Sequence, residues 1–103
     1  LVVSPYASIL AWPVDPGAVA RNMDVMRTEG GLGEYGLYEA IDFGVPGNGG
    51  SPERGRIVRS YMAHHQGMIL LALNNLIHDD VMVERFHADP RMAAAEFLLH
   101  ERA

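Results

Sequence analysis

The sequence has no cysteine and no lysine among its 103 residues, no basic run, and no apolar stretch longer than Met68–Leu73. Without thiols there is no disulfide framework, thiolate metal site or thiol nucleophile, and a reducing compartment fits. Six consecutive apolar residues fall far short of the roughly 20 that span a bilayer, and no basic-then-apolar leader opens the chain. A formal charge of −5 without a basic cluster lacks the footprint that phosphate-backbone binding needs, so nucleic acid is not an expected partner. Also missing are a G-x-S-x-G elbow, a phosphate-cradling G-x-x-x-x-G-K-[ST] loop, a His-Glu-x-x-His metal pair and a readable Ser/His/Asp triad. Acyl transfer and nucleotide hydrolysis lose ground accordingly, and no cofactor or metal is expected.

What is present is ordinary for a globular chain, with 49% apolar and 20% charged residues. That length supports one core and not two. The sequence opens on Leu1-Val2-Val3 rather than a methionine and stops just after a helical pattern that has no stop signal. The expectation is an internal, mostly helical piece of a larger enzyme domain, unlike a complete catalyst by itself.

Helix starts are marked by a capping residue followed by proline, at Ser4-Pro5, Asp15-Pro16 and Asp89-Pro90. They predict helices from Pro5 to about Trp12, over 15–29 with a left-handed stop at Gly30-Gly31, and from Pro90 onward. Ile57–Ile77 has the strongest helical pattern, with an apolar face from Val58 to Leu76 wide enough to require burial between neighbours. Asp79 or Asp80 is expected to cap a short helix to about Phe86. Between Gly30 and Arg56 periodicity vanishes, and nine of the eleven glycines lie there. That stretch reads as one long loop, functional in its first half and a mobile tip at Gly47–Ser51. No strand with period-two alternation is evident. The chain therefore reads as all-α, about five helices and one Gly-rich loop.

Glu34, Glu39 and Asp42 sit among Tyr35 and Tyr38 in this loop. Glycosidic cleavage commonly uses two carboxyl groups, one to protonate the leaving oxygen and one as nucleophile or base. Tyrosine faces suit the C–H side of a sugar and leave hydroxyls for hydrogen bonds. An ordinary solvated acidic loop carries the same residues. If helical, Glu39 and Asp42 would share a face about 5–6 Å apart, as a catalytic pair or as acids at a helix start. In Tyr61-Met62-Ala63-His64-His65-Gln66 the histidines point about 100° apart, which excludes the usual same-face metal pair. One reads as a hydrogen-bonded core residue, or one of His64, His65 and Gln66 projects into a sugar cleft. His87 reads as a loop or capping residue, Met62, Met68, Met82 and Met92 as core filler, and Trp12 as helix-end packing.

Four runs taken together carry a resemblance: Ser4–Ser8, the Gly-x-Tyr-Gly-x-Tyr-Glu-Ala-Ile-Asp run at 33–42, Val58–Met68, and Arg85–Pro90, with the closing Glu96–Arg102. The chain resembles the glucoamylase-like domain of bacterial cyclic β-1,2-glucan synthases and, more distantly, β-1,2-glucanases. The resemblance implies the C-terminal portion of a six-fold α/α barrel with a sugar cleft at one end. It further implies ring-closing transglycosylation of β-1,2-glucan, within a membrane-embedded polypeptide on the cytoplasmic side of the bacterial inner membrane. Carried over by position, it makes Glu39 the catalytic carboxyl group, with its partner upstream of Leu1. Tyr35, Tyr38, Asp42, Tyr61, His64, His65 and Gln66 would line the cleft. Family members commonly have a basic stretch after the acidic motif, where this chain has Gly44 to Gly50.

The expected partners are a β-1,2-linked glucan and the remainder of the polypeptide, with self-association of the isolated chain through its uncovered apolar face. A β-1,2-glucan hydrolase and a non-catalytic helical carbohydrate-binding or structural fragment stand as the alternatives.

Overall fold

Proline opens helices at each of the three predicted starts. The computed structural model describes residues 1–45 and 55–100, so the tip expected at Gly47–Ser51 lies outside the described residues. The order is β1 (Val2–Val3), α1 (Pro5–Leu10), α2 (Pro16–Thr28), β2 (Leu32–Gly33), β3 (Gly36–Leu37), β4 (Ala40–Asp42), β5 (Arg56–Val58), α3 (Ala63–Ile77), α4 (Val81–Ala88) and α5 (Pro90–Leu99).

Proline suits a first helical position because its ring presets φ and it has no N–H to leave unpaired. Asp15 Oδ1 accepts from the Ala18 amide at 2.9 Å, and Asp89 Oδ1 from the Arg91 amide at 2.9 Å. Ser4 is extended at φ −114°, but its hydroxyl makes no capping bond, which corrects the serine cap expected there. α2 ends as predicted: Gly30 takes φ +89°, its amide donates to Arg27 O at 3.1 Å, and the Gly31 amide donates to Met26 O at 2.8 Å. This pair of bonds satisfies carbonyls that a helix end otherwise leaves open.

The purely helical reading needs correction between Gly30 and Met62. β1, β4 and β5 form an antiparallel sheet with β4 in the middle, pairing Val3 with Ile41 and Ile41 with Ile57. β2 and β3 form a hairpin whose two-residue loop is Glu34-Tyr35, with Gly33 opposite Gly36. Strands of two or three residues are too short to display alternation, so periodicity could not reveal them. Ile57 and Val58, expected to open the long helix, are β-branched residues that pair with β4 instead, and the helix begins at Ala63.

α1 packs on both α2 and α3, and α3, α4 and α5 follow one another in contact. Among the described residues the buried apolar side chains include Pro5 and Ile9 of α1, Val19 and Met26 of α2, Ala40 and Ile41 of β4, and Ile69 of α3. Met62 and Met68, expected in the core, are exposed, Met82 and Met92 are half-buried, and Met26 is the buried methionine. The radius of gyration is 17.2 Å, against about 13 Å for a compact chain of this length. Leu70, Ile77, Phe97, Leu98 and Leu99 stand largely exposed along the α3–α5 side. Among the described residues no helix is long and apolar enough to cross a membrane.

The turn from α3 to α4 also differs from expectation. Asp79 and Asp80 take left-handed φ values of 49° and 60°, and Asp80 makes no side-chain cap bond. Asn75 does that work, its Oδ1 accepting from the Met82 amide at 2.9 Å. His87, expected as a loop or capping residue, lies in the last turn of α4 with Nδ1 3.0 Å from Glu96 Oε1 of α5.

Candidate active site

Glu39 stands between β3 and β4, on a stretch of backbone tied down from two directions. The Tyr38 amide donates to Gly31 O at 2.8 Å, and the Glu39 amide to Ser60 O at 3.0 Å. The first bond anchors the run to the end of α2 and the second to the approach to α3. Across from it, the first turn of α3 presents His64, His65 and Gln66. Gln66 Nε2 donates to Leu37 O at 3.2 Å, fixing α3 against the hairpin.

These anchors bring the Glu39 carboxyl group to the His65 imidazole, with Oε1 and Nδ1 2.6 Å apart. Both side chains are mostly buried, 16% and 17% exposed respectively. The other carboxyl oxygen, Oε2, is closed to solvent and has no hydrogen-bond partner among the described residues. Leaving a buried acceptor unpaired costs about 1–3 kcal/mol, so a fold keeps such an atom for a reason. Tyr6 of α1 lies flat on the His65 ring, with centroids 3.8 Å apart and planes within 10°. His64 approaches the same ring at 4.0 Å, tilted by 50°.

Beside this group lies a tyrosine cluster. Tyr38 and Tyr61 have centroids 5.3 Å apart, and Tyr35 meets Tyr61 edge-on at 6.2 Å. The Tyr35 amide donates to the Tyr61 hydroxyl at 3.4 Å. Desolvation pushes the Tyr61 hydroxyl above the ordinary tyrosine range, with Tyr38 and Glu34 adding to the shift and the Tyr35 amide opposing it. Tyr61 therefore stays a neutral hydroxyl, able both to donate and to accept. Tyr35, at 78% exposure, presents its ring to solvent.

The structure thus gathers Glu39, His64 and His65 at one point, with Gln66 tied to the neighbouring hairpin, and gathers Tyr35, Tyr38 and Tyr61 beside them. It does not bring in Asp42. Glu39 and Asp42 share no helix, and Asp42 Oδ1 accepts from the Gly44 amide at 2.8 Å to close the turn after β4. Trp12 is set elsewhere, lining a cavity of about 340 Å³ with Leu10, Leu76 and Val83. Among the described residues no three His, Asp or Glu side chains converge as metal ligands would. Sequence reasoning left Tyr6 without a role, because its partner is 59 positions away and no local pattern links them.

Residues 1–90 match the family model Glycoamylase, described as "Putative glucoamylase". Over 102 residues, 99% of the chain, the sequence is 43% identical to the cyclic beta-(1,2)-glucan synthase NdvB of Rhizobium meliloti (strain 1021). The chain spans 4% of that protein's length.

Proposed function

The chain belongs to the Glycoamylase family, and on that premise we propose that it is part of a carbohydrate-active domain that cleaves and transfers β-1,2-glucan chains. The observation that carries this reading is Glu39: a mostly buried carboxyl group with one oxygen held by His65 and the other unpartnered, beside three tyrosines. Glycosidic chemistry needs such a group at the scissile bond, and aromatic faces to seat the sugar rings next to it.

In this reading Glu39 is one of the two reacting carboxyl groups. The second comes from a part of the polypeptide outside this chain. One carboxyl group protonates the glycosidic oxygen as the C–O bond breaks, and the other attacks the anomeric carbon or removes the proton from the incoming nucleophile. A sugar hydroxyl as that nucleophile gives transfer, and one on the same chain closes a ring. Water gives hydrolysis. Tyr35, Tyr38 and Tyr61 seat the sugar rings, and His64 and Gln66 border the same cleft.

The remainder of the domain completes a six-fold α/α barrel against the exposed apolar residues of α3, α4 and α5. It belongs to a membrane-embedded polypeptide whose glucan-acting part faces the cytoplasm. Burying a large aliphatic or aromatic side chain is worth about 1.5–3 kcal/mol, so Leu70, Ile77, Phe97 and Leu98 together supply a strong drive for that packing. The isolated chain, lacking the partner carboxyl group and barrel wall, has no turnover and self-associates.

The test is turnover of β-1,2-glucan by the full-length polypeptide, counting rings and new reducing ends. Glu39→Gln keeps shape and lowers turnover by about 10²–10⁴-fold, the usual worth of a general acid or base. Glu34→Gln, on the exposed hairpin loop, serves as the matched control and changes little. Parental turnover in Glu39→Gln ends the proposal.

A further inference from the structure

We infer that His65 and Tyr6 are positioning residues for Glu39: the imidazole, held flat by Tyr6, donates from Nδ1 to Oε1 and thereby fixes the plane and direction of the carboxyl group. This rests on the reading of Glu39 given above.

A glutamate side chain has three rotatable bonds, and its carboxyl group also turns about its own axis. Reaction at a glycosidic bond requires one oxygen at one place. Closely placed donors can supply that restraint, and a misplacement of about 1 Å can cost 10²-fold in rate. Here the donor is a single nitrogen 2.6 Å from Oε1, a close contact that leaves the carboxyl group little freedom to turn.

The donor is itself restrained. Tyr6 covers one face of the imidazole at 3.8 Å and nearly parallel, so rotating the ring out of plane would drive its edge into the phenol. His64 crowds it at 4.0 Å. Tyr6 comes from α1 and His65 from α3, and those helices pack directly on each other, so the clamp is set by helix packing. Glu39 is fixed independently by its own amide bond to Ser60 O at 3.0 Å. Three segments thus determine where the carboxyl group points.

The two carboxyl oxygens differ accordingly: Oε1 is committed to His65, and Oε2 is buried and without a partner among the described residues. His65 acts on the reaction only through Glu39.

Two amide replacements at His65 test this in the full-length polypeptide. Asparagine places an N–H near the Nδ1 position, and glutamine places one near Nε2. His65→Gln is expected to lower kcat on β-1,2-glucan on the order of 10- to 100-fold with KM little changed. His65→Asn should retain clearly more, at similar melting temperatures. Tyr6→Leu should also lower kcat, and Tyr6→Phe, which keeps the stacking ring, should lower it less. If the glutamine variant melts early, the Tyr6 pair decides.

Equal losses in the asparagine and glutamine variants would overturn the inference. So would a raised KM at parental kcat, the sign of a residue that binds sugar directly. Glu39→Gln in the same assay separates the failures. Parental turnover there removes the Glu39 reading itself, whereas an inactive Glu39→Gln beside a parental His65→Gln removes only the positioning role.

Discussion

Gly33 lies so close beneath Tyr61 that a Cβ there would fall 2.6 Å from the tyrosine hydroxyl, and it would also run into the ring of Tyr38. The tyrosine cluster closes over this backbone position because it carries no side chain. Gly33→Ala is expected to swing both rings aside. The ring ends can move, so the stability loss should stay at the low end of the roughly 1–3 kcal/mol that overpacking costs. Sugar affinity should fall more sharply. Calorimetric titration of the full-length polypeptide with β-1,2-glucan oligosaccharides, set beside its melting temperature, checks the split.

Asp15 is the cap of α2, and Asp15→Ala should destabilise that helix by about 0.5–2 kcal/mol. Asp15→Asn should be nearly neutral, since the amide oxygen accepts the same bond. Hydrogen exchange at the first-turn amides of α2 reads this locally, with faster exchange in the alanine variant alone.

Asn75 joins α3 to α4 by accepting the Met82 amide at 2.9 Å across two left-handed aspartates. Removing it in Asn75→Ala strands a helix N-terminal donor and leaves the strained turn without its tie. An increase of about 0.5–2 kcal/mol in the ease of opening α4 is expected, by analogy with other lost caps. Protease nicking at 78–82 should rise in parallel, and unchanged nicking would show that the turn holds without Asn75.

Acid should loosen the start of α5. The Arg91 guanidinium, followed by the Arg91 amide, holds the Asp89 carboxyl group below the ordinary aspartate range. A lowered folded-state pKa means the stabilisation is fully present above the ordinary aspartate value and is lost as pH falls through the lowered one. Asp89 in turn raises the Arg91 pKa, so that share disappears only in strong alkali. Protection of the Met92 and Ala93 amides, taken relative to their intrinsic exchange rate at each pH, should fall in acid in the parental sequence. Asp89→Asn, which keeps a capping oxygen but cannot titrate, should remove that dependence.

Legibility followed the range of the interactions. Asp15-Pro16, Asp89-Pro90 and the Gly30 stop were readable because each is completed within about five residues. The family resemblance was legible from four ordered motifs, and residues 1–90 match the family. Ser4 misled, since a capping residue before proline need not bond, and Ile57 and Val58 misled because apolar residues shortly before a helix look like its first turn.

By itself, the sequence determined the helix starts, the end of α2, the absence of thiol chemistry and the acidic, tyrosine-rich run around Glu39. Tertiary structure alone decided that β4 pairs with segments near residues 2 and 57, and that Asp42 closes a turn. It also decided that Tyr6, Glu39 and His65 meet at one point. The physical reason is range: caps and glycine stops are settled by bonds to near neighbours in the chain, whereas a two-residue strand or a stacked ring pair has no stability until a distant segment arrives to complete it.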